Sequence, residues 1–457
     1  MKETALNHKD TEFTERRIRN RASGQAAHPT TALLRDWDHR WLWHPFTQMN
    51  DWMAEEPVII ESGEGAILRD TRGREYIDAN SSIWTNLHGH RHPTINRAIQ
   101  DQLDRIAHSS FLGLSNEPAI RLAEQLVQIA PPGLTRVFYS DDGSTAMEVA
   151  VKMALQYWQH RHQPRRTKFV AFADAYHGDT LGAVSIGGID LFHSAFRPLL
   201  FEVIRVNDPS RLAAILRKHG DGVAGVVIEP LVQGAAGMKL WRRGLLAELR
   251  SLCTERGALL IVDEVLTGFG RTGTMFACEQ EGVTPDLMAV AKGFTGGYLP
   301  LAATLATEEI YRAFLGDYSE FKTFFHGHSY TGNQLGCAAA LANLRVFRDE
   351  QTLVKIQPKS ERLRAGLESL RALPQVGDVR HIGMIGAVEL FQDVATRQPF
   401  PLAEKIGMRV CDEMRQRGVL TRPIGNTIIV LPPYCISDEQ LDRVLSVLAE
   451  SIRAVVL

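Results

Sequence analysis

Ala258-Leu259-Leu260-Ile261-Val262-Asp263-Glu264-Val265 is a short apolar run that ends abruptly in an acid. A second run, Leu287-Met288-Ala289-Val290-Ala291, ends in Lys292-Gly293. Runs this short, without polar alternation, suit strands buried on both faces, as in a parallel sheet. In open α/β sheets, ligands gather beyond the carboxyl ends of the strands. An acid and an amine delivered to that edge by neighbouring strands would face one crevice, and that pair anchors the reading of the chain.

Upstream, Arg136-Val137-Phe138-Tyr139-Ser140 predicts a strand, followed by the turn Asp141-Asp142-Gly143-Ser144-Thr145 and a helix with Ala146, Val149, Ala150 and Met153 on one side. Free backbone N–H groups and the helix dipole favour an anion at such a turn, although Ser and Thr also serve as ordinary N-caps. Lys168–Phe172 predicts the next strand and leads to Tyr176-His177-Gly178-Asp179-Thr180, where the aromatic could stack on a flat ring or cap the core. Ala224–Ile228 reads as another buried strand with Glu229 at its end, and residues 241–256 as a helix. Beyond Lys292, Ala302–Ala306 predicts a further strand. The glycine-punctuated loop Phe324–Asn333 offers a second set of hydroxyl donors before an alanine-rich helix near Gln334.

The resulting expectation is an α/β fold: a large, mostly parallel sheet domain with helices on both faces, plus a smaller α+β domain. Residues 1–35 read as a disordered polar extension, 36–80 as a segment joining the small domain, 81–338 as the large domain and 339–457 as the small one. In that last part helices are expected over 341–372, 402–417 and 438–454, with strands at Ile382–Leu390 and Thr427–Leu431.

Several classes drop out. A net charge of -2 over 457 residues makes no electrostatic case for nucleic acid or an anionic membrane. No apolar run approaches the roughly 20 residues of a membrane span. Five scattered cysteines lack metal-ligand spacing and fit buried thiols in a reducing, cytoplasmic setting. Gly268-Phe269-Gly270-Arg271-Thr272-Gly273 matches G-x-G-x-x-G, but Asp263–Thr267 separate it from the strand and no long helix follows, so a dinucleotide site is not expected. His88, His90 and His92 lack a further ligand at suitable spacing for a metal.

An acid for a pyridine nitrogen, a lysine for a Schiff base, a phosphate cradle and ring-stacking groups are what pyridoxal 5′-phosphate requires of a protein. Asp263 and Lys292 supply the first two; Gly143, Ser144 and Ser329 would hold the phosphate; Tyr176 and Val265 would cover the ring faces. The order of these elements along the chain is more specific than any one of them.

From about Trp43 to Ile452 the chain resembles the class III (fold type I) pyridoxal-phosphate aminotransferases. The resemblance rests on Asp142-Gly143-Ser144, Tyr176-His177-Gly178-Asp179-Thr180, Ile261–Gly273 and Ala291-Lys292-Gly293. Within that class, Trp43–Met49, Asn80-Ser81-Ser82-Ile83-Trp84, Met153–Trp158, Arg422-Pro423-Ile424-Gly425 and Leu431–Tyr434 are similar to the branch serving biotin biosynthesis. That branch aminates 7-keto-8-aminopelargonate, so the resemblance implies this reaction. It also implies a homodimer with active sites at the subunit interface. Lys292, Asp263 and Tyr176 would be catalytic, Ile83, Trp84 and Gly327 would lie beside substrate, and His328-Ser329 would reach the partner's phosphate. Arg422 would bind the substrate carboxylate. Ile83 stands where S-adenosylmethionine users often have a second Trp, and Phe46 where they often have Tyr. The amino donor therefore stays open between S-adenosylmethionine and lysine. Another ω-aminotransferase and a non-catalytic binding protein are the alternatives.

Overall fold

The structure is a computed structural model that describes residues 29–456. These fall into two units, one comprising the chain up to Ser62 with Arg69–Arg74, the other Gly63–Leu68 with Glu75 onward. Within the first unit a helix runs from Thr31 to Trp41, capped by Thr30, whose side chain accepts from Leu33 N. It starts inside the stretch expected to be disordered, because Thr30 and the helix formers Ala32-Leu33-Leu34 supply a local nucleus. Residues 1–28 of that expectation lie outside the described residues. A single turn, Met49–Trp52, follows, and Asp38 accepts from Trp52 Nε1 at 2.6 Å and lies 2.9 Å from His44 Nε2.

The second unit is built on a seven-stranded sheet. Its strands in chain order are β1 Leu134–Ser140, β2 Lys168–Phe172, β3 Val203–Val206, β4 Val223–Ile228, β5 Leu259–Asp263, β6 Leu287–Val290 and β7 Ala302–Thr307. Their spatial order is β1-β7-β6-β5-β4-β2-β3. Only β7 runs antiparallel to its neighbours. Consecutive side chains point to opposite faces, and both faces are buried. Leu260, Val262, Met288 and Val290 belong to one apolar cluster. Leu259, Ile261, Leu287 and Ala289 join another with Ala146, Met147, Ala150 and Ala154 of the helix Gly143–His160. This double burial accounts for the missing polar alternation in the runs.

The register decides the site. Ile261, Val262 and Asp263 lie opposite Leu287, Met288 and Ala289 in parallel pairing. Asp263 is thus the last residue of β5, and Lys292 follows three residues beyond its partner level on β6. Glu264 points away from Asp263 into the core, where it accepts from Cys278 N at 2.9 Å and from the Thr267 hydroxyl.

Toward the C-terminus, a sheet of Val376–Ile382, Ile385–Asp393, Thr427–Val430 and Pro423–Ile424 is covered by helices Thr352–Ser369, Ile406–Gln416 and Asp438–Val456. Three expectations are corrected here. The helix expected over 341–372 is two, Gln334–Asp349 and Thr352–Ser369, because Gln351 takes a left-handed φ of 52° that no continuous helix tolerates. The single strand at Ile382–Leu390 is the second arm of a hairpin turning at Gly383, φ 57°. Similarly, the helix expected from 241 begins at Leu245, after Gly244 with φ 79°. Glu75–Asp78 pairs in parallel with Val419–Leu420. Among the described residues, no helix is long and apolar enough to cross a membrane.

The helix Gly143–His160 owes its start to a reciprocal cap: Asp142 accepts from Thr145 N at 2.9 Å while Thr145 Oγ1 accepts from Asp142 N at 3.0 Å. Asp142→Ala should therefore lower unfolding free energy by about 1 kcal/mol, read as a lower denaturant midpoint at unchanged slope.

Candidate active site

A cavity of about 430 Å³ opens at the carboxyl edge of the sheet, with Asp263 and Lys292 in its wall. Gly143, Ser144, Tyr176, Val265 and Trp84 also line it, so most of the residues singled out in the sequence converge here. Asp263 is buried, 5% exposed. One of its carboxylate oxygens lies 2.7 Å from His177 Nδ1, and the other accepts from Val265 N at 3.0 Å. A carboxylate, when ionised, only accepts, and His177 Nδ1 is the ring atom that faces it.

Lys292 sits at the start of a tight turn, Lys292–Thr295, with a left-handed φ of 45°. Asn343, fully buried on the helix Gln334–Asp349, holds that turn by donating Nδ2 to the carbonyls of Gly293 and Phe294, each at 3.0 Å. The amine of Lys292 points into the cavity, 4.8 Å from the centroid of the Trp84 ring. Burial lowers its pKa, opposed by the negative charges of Asp263 and Glu229. A lysine made easier to deprotonate suits a group that must give and take a proton.

At the other end, the N-terminus of the helix Gly143–His160 presents unpaired backbone N–H groups. Glycine is required around it: a Cβ on Gly143 would meet Val265 Cγ1 at 2.6 Å, and one on Gly178 would meet Ser144 Oγ at 2.0 Å. Ser144 Oγ accepts from Asp179 N at 3.2 Å. Tyr176 donates its hydroxyl to Asp179 at 2.6 Å, which fixes the ring at the cavity wall.

Pyridoxal 5′-phosphate fits what is present. The cavity offers the N-terminus of the helix Gly143–His160 as an anion site, a buried acceptor in Asp263, the side chains of Tyr176 and Val265 in its wall, and an amine. Other residues assigned from sequence lie elsewhere. Ile83 is 49% exposed and, like Gly327, Ser329 and Arg422, is not in the cavity wall. His328 Nδ1 lies 2.8 Å from Asp141, which does line the cavity, and the carbonyl of Ser329 is 2.8 Å from His108 Nε2. Arg422 is exposed just before Pro423–Ile424.

Residues 49–452 match the family described as "Aminotransferase class-III". The chain belongs to the class-III aminotransferases. Members of this class are pyridoxal-phosphate-dependent transaminases. One curated relative, an adenosylmethionine-8-amino-7-oxononanoate aminotransferase of Geobacter sulfurreducens, is 52% identical over 93% of this chain and 98% of its own. A crystal structure of the like-named protein from Methanocaldococcus jannaschii superposes with a TM-score of 0.92 at 45% identity, covering 93% of this chain and all of that one. The ω-transaminase of Pseudomonas jessenii in complex with PMP superposes at 0.88 with 27% identity, over 92% of this chain and 98% of that one.

Three residues were not assigned to the site from sequence. Glu229, at the end of β4, accepts from Tyr176 N at 3.2 Å and from Gly234 N at 2.8 Å, and lines the cavity. Arg271, within the glycine-rich match, is 1% exposed and donates to the carbonyls of Asn86 and Pro432, each at 3.0 Å. Asn343 is the third. Glu229 carried a faint signal, an acid at a buried strand's end; the other two carried none.

Burial raises the Glu229 pKa to about 7, with His177 opposing and Asp263 reinforcing. An unfolded chain would release that proton near the ordinary carboxylate value of 4.5. Between those two values the unfolded state binds fewer protons than the native one, so stability falls as pH rises. At about 1.4 kcal/mol per pH unit the fall amounts to roughly 3 kcal/mol. Glu229→Gln should remove this slope between about pH 4.5 and 7 in denaturant titrations of the apoprotein. An amide facing a backbone N–H adds only a pH-independent offset.

Proposed function

We propose that this chain is a ping-pong transaminase that converts 7-keto-8-aminopelargonate to 7,8-diaminopelargonate in biotin biosynthesis, with S-adenosylmethionine or lysine as amino donor. The observation that carries the reading is Asp263 and Lys292 facing one cavity in a chain 52% identical to a protein named for this reaction. When bound, pyridoxal 5′-phosphate supplies the electron sink that makes a Cα–H bond labile. Asp263 would hold a proton on the pyridine nitrogen, with His177 holding Asp263. Gly143, Ser144 and the helix N-terminus would bind the phosphate, while Tyr176 and Val265 would bracket the ring. Lys292 would take the proton from the donor's Cα and, in the second half, return one to the acceptor.

Arg422 is the proposed carboxylate clamp. Ile424, two residues on, packs in the same apolar cluster as Trp84 and Leu266, both in the cavity wall, which supports a place for Arg422 near the site. A guanidinium there could pair bidentately with a carboxylate.

The active unit is proposed to be a cytoplasmic homodimer. Supporting this, exposed large apolar side chains lie near the loop bearing His328-Ser329 in sequence and by ring contact. His108 packs on Tyr330 with ring centroids 4.7 Å apart, and Leu112 and Tyr330 are 91% and 61% exposed. Gly327, His328 and Ser329 would then serve the partner's site rather than their own. Free Cys253, Cys278, Cys337 and Cys411 are buried, which suits a reducing compartment, whereas Cys435, also expected to be buried, is exposed.

Offered 7-keto-8-aminopelargonate with each donor in turn, the enzyme should yield diaminopelargonate by mass with one of them. No product with either donor rejects the biotin assignment in favour of another ω-aminotransferase. Lys292→Ala should lower turnover by at least about 100-fold and abolish borohydride fixation of the cofactor. Arg422→Ala should raise the KM for the keto acid by up to about fivefold, given the roughly 1 kcal/mol at most of an exposed ion pair, with cofactor absorbance unchanged. Light scattering should give twice the mass of the 51.0 kDa chain.

A further inference from the structure

Ser81, Ser82, Ile83 and Trp84 take φ values of 46°, 49°, 63° and 71°, four consecutive non-glycine residues in the left-handed region. Each such residue is disfavoured by contact of Cβ with the following carbonyl, and a β-branched Ile more so. A run of this kind persists only where its surroundings over-determine it, and strain of this sort gathers at functional sites.

The surroundings centre on Asp78, which is 2% exposed. Its Oδ1 accepts from Asn80 N at 3.2 Å and Ser82 N at 3.1 Å, and its Oδ2 accepts from Ser82 Oγ at 2.9 Å. His90 Nε2 lies 3.2 Å from Oδ2 and 3.1 Å from Asn86 Nδ2. Burial opposes the charge on Asp78, yet these bonds from His90 and Ser82 outweigh it and hold its pKa below the usual carboxylate range. Ser81 Oγ pins the turn to the Leu431 carbonyl at 2.6 Å, and Trp84 Nε1 donates to Asn80 Oδ1 at 3.0 Å. The end of this chain of contacts is the Trp84 ring, in the cavity wall above the Lys292 amine.

We propose that Asp78 is a positioning residue for the amino acceptor: its carboxylate holds residues 81–84 in a left-handed turn, and the turn sets Trp84 as the substrate-facing wall opposite Lys292. Asp78 touches neither cavity nor substrate; it acts through Trp84. This deepens the reading of the cavity as a transaminase site and rests on it. A right-handed path for the same residues would carry the indole elsewhere, so acceptor binding, rather than cofactor retention, is what Asp78 governs.

The test pairs kinetics with a signal that needs no substrate. Asp78→Asn keeps the side-chain shape but replaces an acceptor oxygen with a donor. The holoenzyme variant should show a KM for 7-keto-8-aminopelargonate raised about tenfold, kcat within about threefold, and unchanged borohydride fixation of the cofactor at Lys292. Adding Ser82→Gly lets the turn form without the Cβ penalty and should recover about fivefold in KM. The near-UV circular dichroism band of Trp84, assigned by difference with Trp84→Phe, should shrink in Asp78→Asn and return in the double variant. An unchanged KM and band overturn the proposal, as does a loss of kcat and cofactor that Ser82→Gly does not repair. Should Asp78→Asn not fold, Ser82→Ala removes one bond to the carboxylate and should raise KM about threefold; no change overturns the proposal. Wild-type protein inactive on this keto acid would reject the substrate assignment, whereas the Trp84 band still decides the role of Asp78 in the turn.

Discussion

Parallel pairing of Leu259–Asp263 with Leu287–Val290 is the constraint on which the site depends, because it brings two groups of opposite charge to one edge of a buried sheet. A slip of one residue would send every side chain of a strand to the other face. Asp263 would then turn into the core, and Glu264 would turn into the cavity. The register is held by apolar contacts on both faces of the sheet, Leu260 and Val262 on one and Leu259 and Ile261 on the other. No single-residue slip preserves both sets together with the polar partners waiting at the strand end. Hydrophobic packing and the placement of the reacting groups are one requirement.

Charge at that edge has to be compensated, since an unpaired ion in such a setting costs several kcal/mol. His177 faces Asp263, two backbone N–H groups serve Glu229, and the Trp84 ring faces the Lys292 amine. Burial raises the Glu229 pKa to about 7, so above that pH its charge joins that of Asp263 in opposing the effect of burial on the Lys292 amine. The same burial that lowers the lysine pKa raises that of Glu229, and both effects follow from the closed sheet edge.

Strand ends were legible in the sequence because a buried parallel strand leaves an uninterrupted apolar run, and Asp263, Lys292 and the Gly143-Ser144 turn are each marked by where such a run stops. Residues that act across the fold left no local trace. Asn343 lies mid-helix among alanines, and only tertiary contact shows that it holds the turn of Lys292. The helix break at Gln351 and the hairpin at Gly383 have a related cause: Arg348-Asp349-Glu350-Gln351 could equally be an exposed helix surface, Ile382-Gly383-Met384-Ile385 could equally be one apolar strand, and in each a single left-handed residue decides the path. Ile83 and Gly327 rest on resemblance and Ser329 also on its hydroxyl-bearing loop, and none of them, nor Arg422, lies in the cavity wall of the single chain.

Gly268–Gly273 illustrates how a motif can be right in composition and wrong in meaning. Its glycines do permit close backbone approach, but to protein: a Cβ on Gly268 would meet the Glu264 carbonyl at 2.8 Å. Phe269 packs parallel to Phe294 at 5.5 Å, and the buried Arg271 takes up the carbonyls of Asn86 and Pro432. The stretch therefore joins the strand end bearing Asp263 to the segment that follows Trp84. A buried guanidinium with two carbonyl acceptors has five N–H donors to satisfy. Tyr434 beneath it, 5.1 Å from ring centroid to guanidinium carbon, supplies a face rather than another acceptor. Replacing Arg271 would leave both carbonyls unpartnered in the core. It would also free the Asn86 carbonyl, so the 81–90 segment is tied both to a buried cation at Asn86 and to a buried anion, Asp78, at Ser82.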